Sequence, residues 1–218
     1  MDLRLSLSRI VGILKSCFLR NKILIKVVTI VFFLILLLSI VVTSLAFNLA
    51  PNLSSIFESF AQSERSYVAL PPPFTEELFS YILLNNIGHF WNPLKSLVWV
   101  PLLGAFVLGL ELFLNASIIG AVIVFAARTH GILYPILGLT PHGLFEIPAF
   151  VLEFSSIIRW QITIIETLLA KITGEPVRGE IVKRGLKDAL LLALISVLLF
   201  VIAAAIETYI TPGVLGIE

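Results

Sequence analysis

Three ionisable side chains sit inside an apolar stretch of this chain: His142, Glu146 and Glu153, in the run PHGLFEIPAFVLE. A helix turns about 100° per residue, which puts both glutamates within about 40° of His142. All three lie on one stripe. Leu144, Phe145, Ile147, Phe150, Val151 and Leu152 take the other faces. A histidine and two carboxylates so placed have the chemistry of a proton relay or of metal ligands. Pro141 suits a first helical turn, where its missing N–H is no loss. In a bilayer the stripe must face other helices or a wet cavity.

The composition supplies the bilayer. Of 218 residues, 58% are hydrophobic and 13% charged, with a mean hydropathy of +1.04. Soluble domains carry about a quarter charged residues. The expected fold class is therefore all-α: a polytopic membrane helix bundle of about five transmembrane helices plus amphipathic interfacial helices. The net charge of +1 says nothing about nucleic acid, and no basic repeat points to one, so no nucleic-acid partner is expected. One cysteine, Cys17, excludes an intramolecular disulfide and a cysteine-rich metal site. Cys17 stands among basic residues, as a bland thiol or a lipidation site.

The elements that must position the stripe follow in order. Residues 1–26 hold Arg4, Arg9, Lys15, Arg20, Lys22 and Lys26 against Asp2, interleaved with leucine and isoleucine. They read as a basic amphipathic segment on anionic headgroups, or as the flank that orients the first helix. Residues 27–47 carry no charge and are too long for a signal-peptide core, so they predict the first transmembrane helix. Residues 48–93 are expected outside the bilayer, as a polar loop, a proline run at 71–73 and an amphipathic segment over 74–92. That segment is either interfacial or the first part of a broken membrane segment. Residues 94–212 hold the rest of the bundle. Apolar runs at 96–110 and 112–127 flank Glu111, and Asn115 with Ala116 predicts a tight hairpin. Ala105 with Gly109, and Ala116 with Gly120, form small-xxx-small pairs for close helix packing. Residues 129–140 read as a bent connector, 141–160 as the fourth helix, 161–173 as an amphipathic helix and 189–206 as the fifth. A short tail, 213–218, follows.

Lysine and arginine cluster in 1–26 and again in 159–187, with six in each. The positive-inside rule then places the N-terminus and the 159–187 connector in the cytoplasm of a multi-pass plasma-membrane protein. The C-terminus is expected outside. His142 and Glu146 fall near the outer end of the fourth helix, with Glu207 and His130 close by. Asn85 and Asn86 are candidates to complete that intramembrane polar cluster. Glu111 falls near the inner surface.

Several pieces resemble the stage II sporulation protein M family. They are Leu83–Leu84–Asn85–Asn86, Gly104 and Gly109, the Asn115…Gly120 pair, Pro141–His142–Gly143 with Glu146, and Ala204–Ala205–Ile206–Glu207 with Thr211–Pro212. Together they span residues about 74–212. The chain departs from the family pattern at Ala116, usually glycine, and at Ile147–Pro148. The resemblance implies a five-span membrane protein without catalysis of its own. In spore formers such a member anchors two cell-wall hydrolases during engulfment, and the family reaches archaea.

Three functions compete on these residues. The first is a scaffold that binds a membrane or envelope protein, or a second copy as a homodimer, with the polar stripe holding helices in register. The second is a channel, flippase or transporter using the His/Glu cluster, although neither an inverted repeat nor a pair of discontinuous helices is legible. The third is an intramembrane metal enzyme, with His142, Glu146 and His130 or Glu207 as ligands. HGLFE is not the HExxH zinc motif, and no G-x-S-x-G serine motif occurs. The expectation is a non-enzymatic scaffold with no catalytic residue, metal or cofactor.

Overall fold

The computed structural model describes residues 3–50, 52, 55, 59 and 71–216. The polar stretch with Glu58, Glu64 and Arg65 lies outside them. Among the described residues the structure is helical, without a strand. The α-helices are α1 (Leu3–Leu49), α2 (Glu76–Asn86), α3 (Leu103–His130), α4 (Leu133–Thr173), α5 (Gly179–Tyr209) and α6 (Thr211–Val214). Four of these, α1, α3, α4 and α5, are long and apolar enough to cross a membrane. Their outer faces expose Leu34, Phe106 and Leu198 to well over half of their full surface. Such faces need lipid rather than water. This is a membrane protein.

Local sequence sets where each helix ends. α1 has no proline until Pro51, and the residue before a proline disfavours helix. α2 starts at Thr75, whose hydroxyl accepts from the Leu78 amide at 3.2 Å, and carries Glu76 and Glu77 in its first turn. Gly131 and Gly174, at φ +86° and +74°, close α3 and α4.

The expected hairpin at Asn115 does not form. α3 is one helix of 28 residues. The Asn115 amide donates to the Glu111 carbonyl at 3.0 Å, four residues back on the same helix, so a polar residue stays inside it without ending it. The expected connector, fourth helix and amphipathic helix over 129–173 also merge. α4 runs 41 residues straight through Pro141 and Pro148. Its neighbours hold it together where the two prolines remove backbone donors.

Among the described residues four candidate spans stand where five were expected, and the segment between α1 and α3 runs along the bundle as a broken one. It begins beside the end of α5, where the Phe74 amide donates to the Thr208 carbonyl at 3.2 Å and Phe79 stacks on Tyr209. α2 follows, then two 3-10 turns, Gly88–Phe90 and Lys95–Trp99, on either side of Pro93. Asn86 meets Glu146 of α4, His89 meets Glu153, and Val98 meets Gln161. From position 146 to 161 is about 22 Å of helix, against a hydrocarbon core of about 30 Å. Part of the expected external platform, 74–92, therefore lies along the bundle, as the broken segment that its sequence left open. Phe74 and Leu102 bracket it at positive φ, 63° and 70°, a conformation that strains residues with a Cβ by about 1–2 kcal/mol.

Non-helical backbone at this depth must find partners. Side chains supply them. The Trp99 indole donates to the His89 carbonyl at 2.9 Å, Gln161 to Val98 at 2.6 Å, Trp160 to Trp99 at 3.0 Å and Lys95 to Asn85 at 3.0 Å. Gly104 lets this happen: a Cβ there would overlap the Val98 carbonyl and crowd the Gln161 amide.

The two ends of the bundle differ. At one, the start of α1 meets the start of α5, where Arg9, Arg20, Lys183, Arg184 and Lys187 line a shared cleft. At the other, Arg128 reaches the Ser44 carbonyl at the end of α1, and Leu215 packs on Gly138. The two termini of the described chain thus lie at opposite ends. α1 is fastened to α5 by Arg20, which grips the buried Asp188 with two bonds of 2.8 and 2.5 Å, while Asn21 adds a third at 3.2 Å. Cys17 is fully buried in this contact, which excludes the lipidation reading.

Candidate functional site

The stripe on α4 divides into two clusters about 10 Å apart along the helix. Toward the end that holds α6 is the first: His142, Glu146 and Glu207. Each offers one ligand atom, and the three atoms lie within 4.8 Å of one another. His142 Nε2 stands 3.8 Å from Glu146 Oε2. Asn86 of α2 donates to Glu146 Oε1 at 3.2 Å. Thr211, at the start of α6, stands 3.3 Å from His142 Nδ1. No lysine or arginine pairs with either carboxylate among the described residues.

The second cluster is built on His89, which is 4% exposed. Its Nδ1 lies 3.0 Å from Glu153 Oε1, and its Nε2 contacts Glu111 Oε2. Glu153 is completely buried. A ring with a carboxylate oxygen near each nitrogen is matched by the doubly protonated imidazolium, which has a hydrogen on both. The His89 ring stands edge-on to Phe154, with centroids 6.0 Å apart.

A cavity of about 360 Å³ joins the clusters. Asn86, His89, Lys95, Glu111, Asn115 and Glu146 supply its polar wall. It is large and polar enough for ordered water. A polar line thus runs from Thr211 and Glu207 through Glu146 and the cavity to His89 and Glu153.

Other expected residues take different places. His130 stacks on Tyr134 at 4.5 Å, exposed at the end of α3 and away from the cluster. Asn85 is exposed at the rim of the same cavity and accepts from Lys95 through its side chain at 3.3 Å. Ala116 is fully buried, and Gly120 abuts Ser39 and the Leu36 carbonyl, so this pair marks the close approach of α1 and α3. Ala105 and Gly109 instead border an open pocket, and a Cβ on Gly109 would meet nothing within 4 Å. Glu111 was expected at the inner surface, yet it serves His89 inside the bundle. His89 stands in the amphipathic segment 74–92, where no helical spacing ties it to another ionisable residue. The signal that could have joined them is that each is a lone ionisable residue in an apolar setting.

Residues 28–212 match the family described as stage II sporulation protein M. The chain belongs to that family. Every residue of both clusters lies within the match, while Cys17, Arg20 and Asn21 precede it. This family member is 33% identical over 141 residues to an uncharacterized protein of Methanocaldococcus jannaschii, covering 62% of this chain and 72% of that one. No solved structure matches it.

Proposed function

We propose that this family member is a non-enzymatic membrane subunit that relays protons along the line between its two clusters. The observation that carries this is the broken crossing. Its interruption brings His89 between two carboxylates on α3 and α4, with a polar cavity leading on to Glu146. Ionisable side chains at this depth are costly and mark ion or proton paths, and interrupted helices mark such sites in transporters. The steps are ordinary proton transfers: Glu207 exchanges with Glu146, Glu146 with water in the cavity, water with Glu111, and Glu111 with Glu153 through the His89 ring, which takes a hydrogen at one nitrogen as it gives one up at the other. Reconstituted vesicles holding a pH-sensitive dye, under an imposed potassium-diffusion potential, test it. The wild type should acidify them faster than protein-free vesicles, and Glu153→Gln should fall to that background while melting close to wild type. Equal rates for wild type and variant would remove Glu153 from any path.

The second reading, a scaffold that anchors a membrane or envelope partner or a second copy, rests on length. α1 and α4, at 47 and 41 residues, are about 70 and 62 Å long, far beyond the bilayer. At the basic end the start of α1 meets the start of α5, and the end of α4 packs beside that same start of α5, which offers a surface. The positive-inside rule assigns that end to the cytoplasm of the plasma membrane, and the C-terminal end to the outside. Cysteine labelling of intact cells should mark a cysteine at Val214, and one at Thr173 only after permeabilisation; the reverse pattern would invert the protein. Cross-linking at Thr173 should capture the partner on this reading, and no partner on the first.

A further inference from the structure

We infer that His142, Glu146 and Glu207 form a binding site for a divalent first-row transition-metal ion. The inference stands whether or not protons travel along the line. It begins with the hydrogen on Thr211. That hydroxyl donates to the Ile206 carbonyl at 3.3 Å, so toward His142 it has only lone pairs to offer. The tautomer with its hydrogen on His142 Nδ1, 3.3 Å away, matches this arrangement. A neutral imidazole with its hydrogen on Nδ1 presents a bare lone pair at Nε2. This lone pair lies 3.8 Å from a Glu146 carboxylate oxygen. Two electron-rich atoms facing each other in a site only 6% exposed at the histidine repel unless a proton or a metal ion sits between them.

The remaining groups complete a ligand set. Asn86 occupies Glu146 Oε1, which leaves Oε2 toward the histidine. Glu207 brings a second carboxylate from α5. No lysine or arginine among the described residues neutralises the pair. One imidazole nitrogen and two carboxylate oxygens make three protein ligands and leave a position for water. The Thr211 contact is what a metal-bound histidine needs behind it, since it fixes tautomer and ring orientation. The imidazole favours zinc, iron, nickel or copper over magnesium and calcium, which prefer oxygen alone. The His89 cluster lacks this property, because both its ring nitrogens already face carboxylates.

The test uses full-length protein purified in detergent without a polyhistidine tag, stripped with a chelator and titrated with Zn2+, Mn2+ or Mg2+. Calorimetry and elemental analysis after dialysis should give about one zinc per chain and no retained magnesium. Glu207→Gln, which keeps size and hydrogen bonding, should lose the zinc while its metal-free melting curve stays near that of wild type. Glu153→Gln, in the other cluster, should keep it. Thr211→Val leaves all three ligands and should weaken binding about 10- to 100-fold, the usual effect of removing a partner behind a metal ligand. No zinc retained by the wild type, or zinc retained equally by Glu207→Gln, overturns the site and leaves a shared proton as the charge between His142 and Glu146. Magnesium binding as tightly as zinc also overturns it, because the histidine would then play no part.

Discussion

Glu153→Ala will lower the melting temperature of the detergent-solubilised protein more than any single substitution elsewhere in the bundle. Glu153 is fully buried, and its carboxylate is 3.0 Å from His89. Alanine leaves His89 with Glu111 alone and opens a void behind it. Removing one partner of a buried ionic pair destabilises by about 3–5 kcal/mol, because the survivor stays in low dielectric without its counterpart. The damage also spreads. The His89 carbonyl receives the Trp99 indole, and the Trp99 carbonyl receives Trp160, so a shift of His89 disturbs the bonds that hold the interruption between α2 and α3. Glu153→Gln keeps an acceptor for Nδ1 and should lose only about 1–2 kcal/mol. Fluorescence of the three tryptophans during heating reports this directly, since two of them lie in that chain of bonds. An alanine variant that melts with wild type would mean that the cluster does not hold the broken crossing in place.

The second large effect is expected at the opposite end of the buried surface. Arg20→Ala should detach α1 from α5. Asp188 is completely buried, and the arginine supplies two of its three side-chain hydrogen bonds. Without the arginine, only Asn21 faces the carboxylate. The full penalty for stranding a buried charge is about 3–5 kcal/mol. The Arg20 side chain is itself 39% exposed, so water reaches the gap and the expected loss falls to about 2–3 kcal/mol. Arg20→Lys keeps the charge but not the planar fork, and should fall between the two. Asp188→Asn with Arg20→Ala removes the stranded charge and should recover part of the loss. A double variant no more stable than Arg20→Ala would show that the carboxylate was never the source of the penalty. Limited proteolysis gives an independent reading, with Arg20→Ala cut earlier within α1.

Much of the architecture is written in runs of residue type. Four long apolar helices, the basic ends and the helix starts at Thr75 and stops at Gly131 and Gly174 depend on neighbours a few positions away, and local chemistry suffices for them. The His142–Glu146 pair was legible for the same reason, since one helical turn separates its members. The boundaries were less so. Asn115–Ala116 reads as a turn because asparagine leaves helices readily, yet a side-chain bond to Glu111 satisfies it inside one. Pro141 reads as a start, but packing from both sides carries α4 through it.

By itself the sequence determined a membrane-spanning helix bundle, its family, its two chemically distinct ends and a polar stripe on the longest inner helix. Hydropathy adds up along the chain, and the helical repeat converts spacing into a face. Only the tertiary structure decided which residues answer that stripe. His89 lies 22 positions from Glu111 and 64 from Glu153 in the chain. Glu207 reaches Glu146 from the other end of the bundle's sequence. In one dimension each is an isolated polar residue among apolar ones, and an isolated polar residue reads alike whether it ends a helix, faces water or awaits a partner. The choice is made by the low dielectric of the interior, where an unpaired charge is too costly to keep and the fold must bring its partner to it.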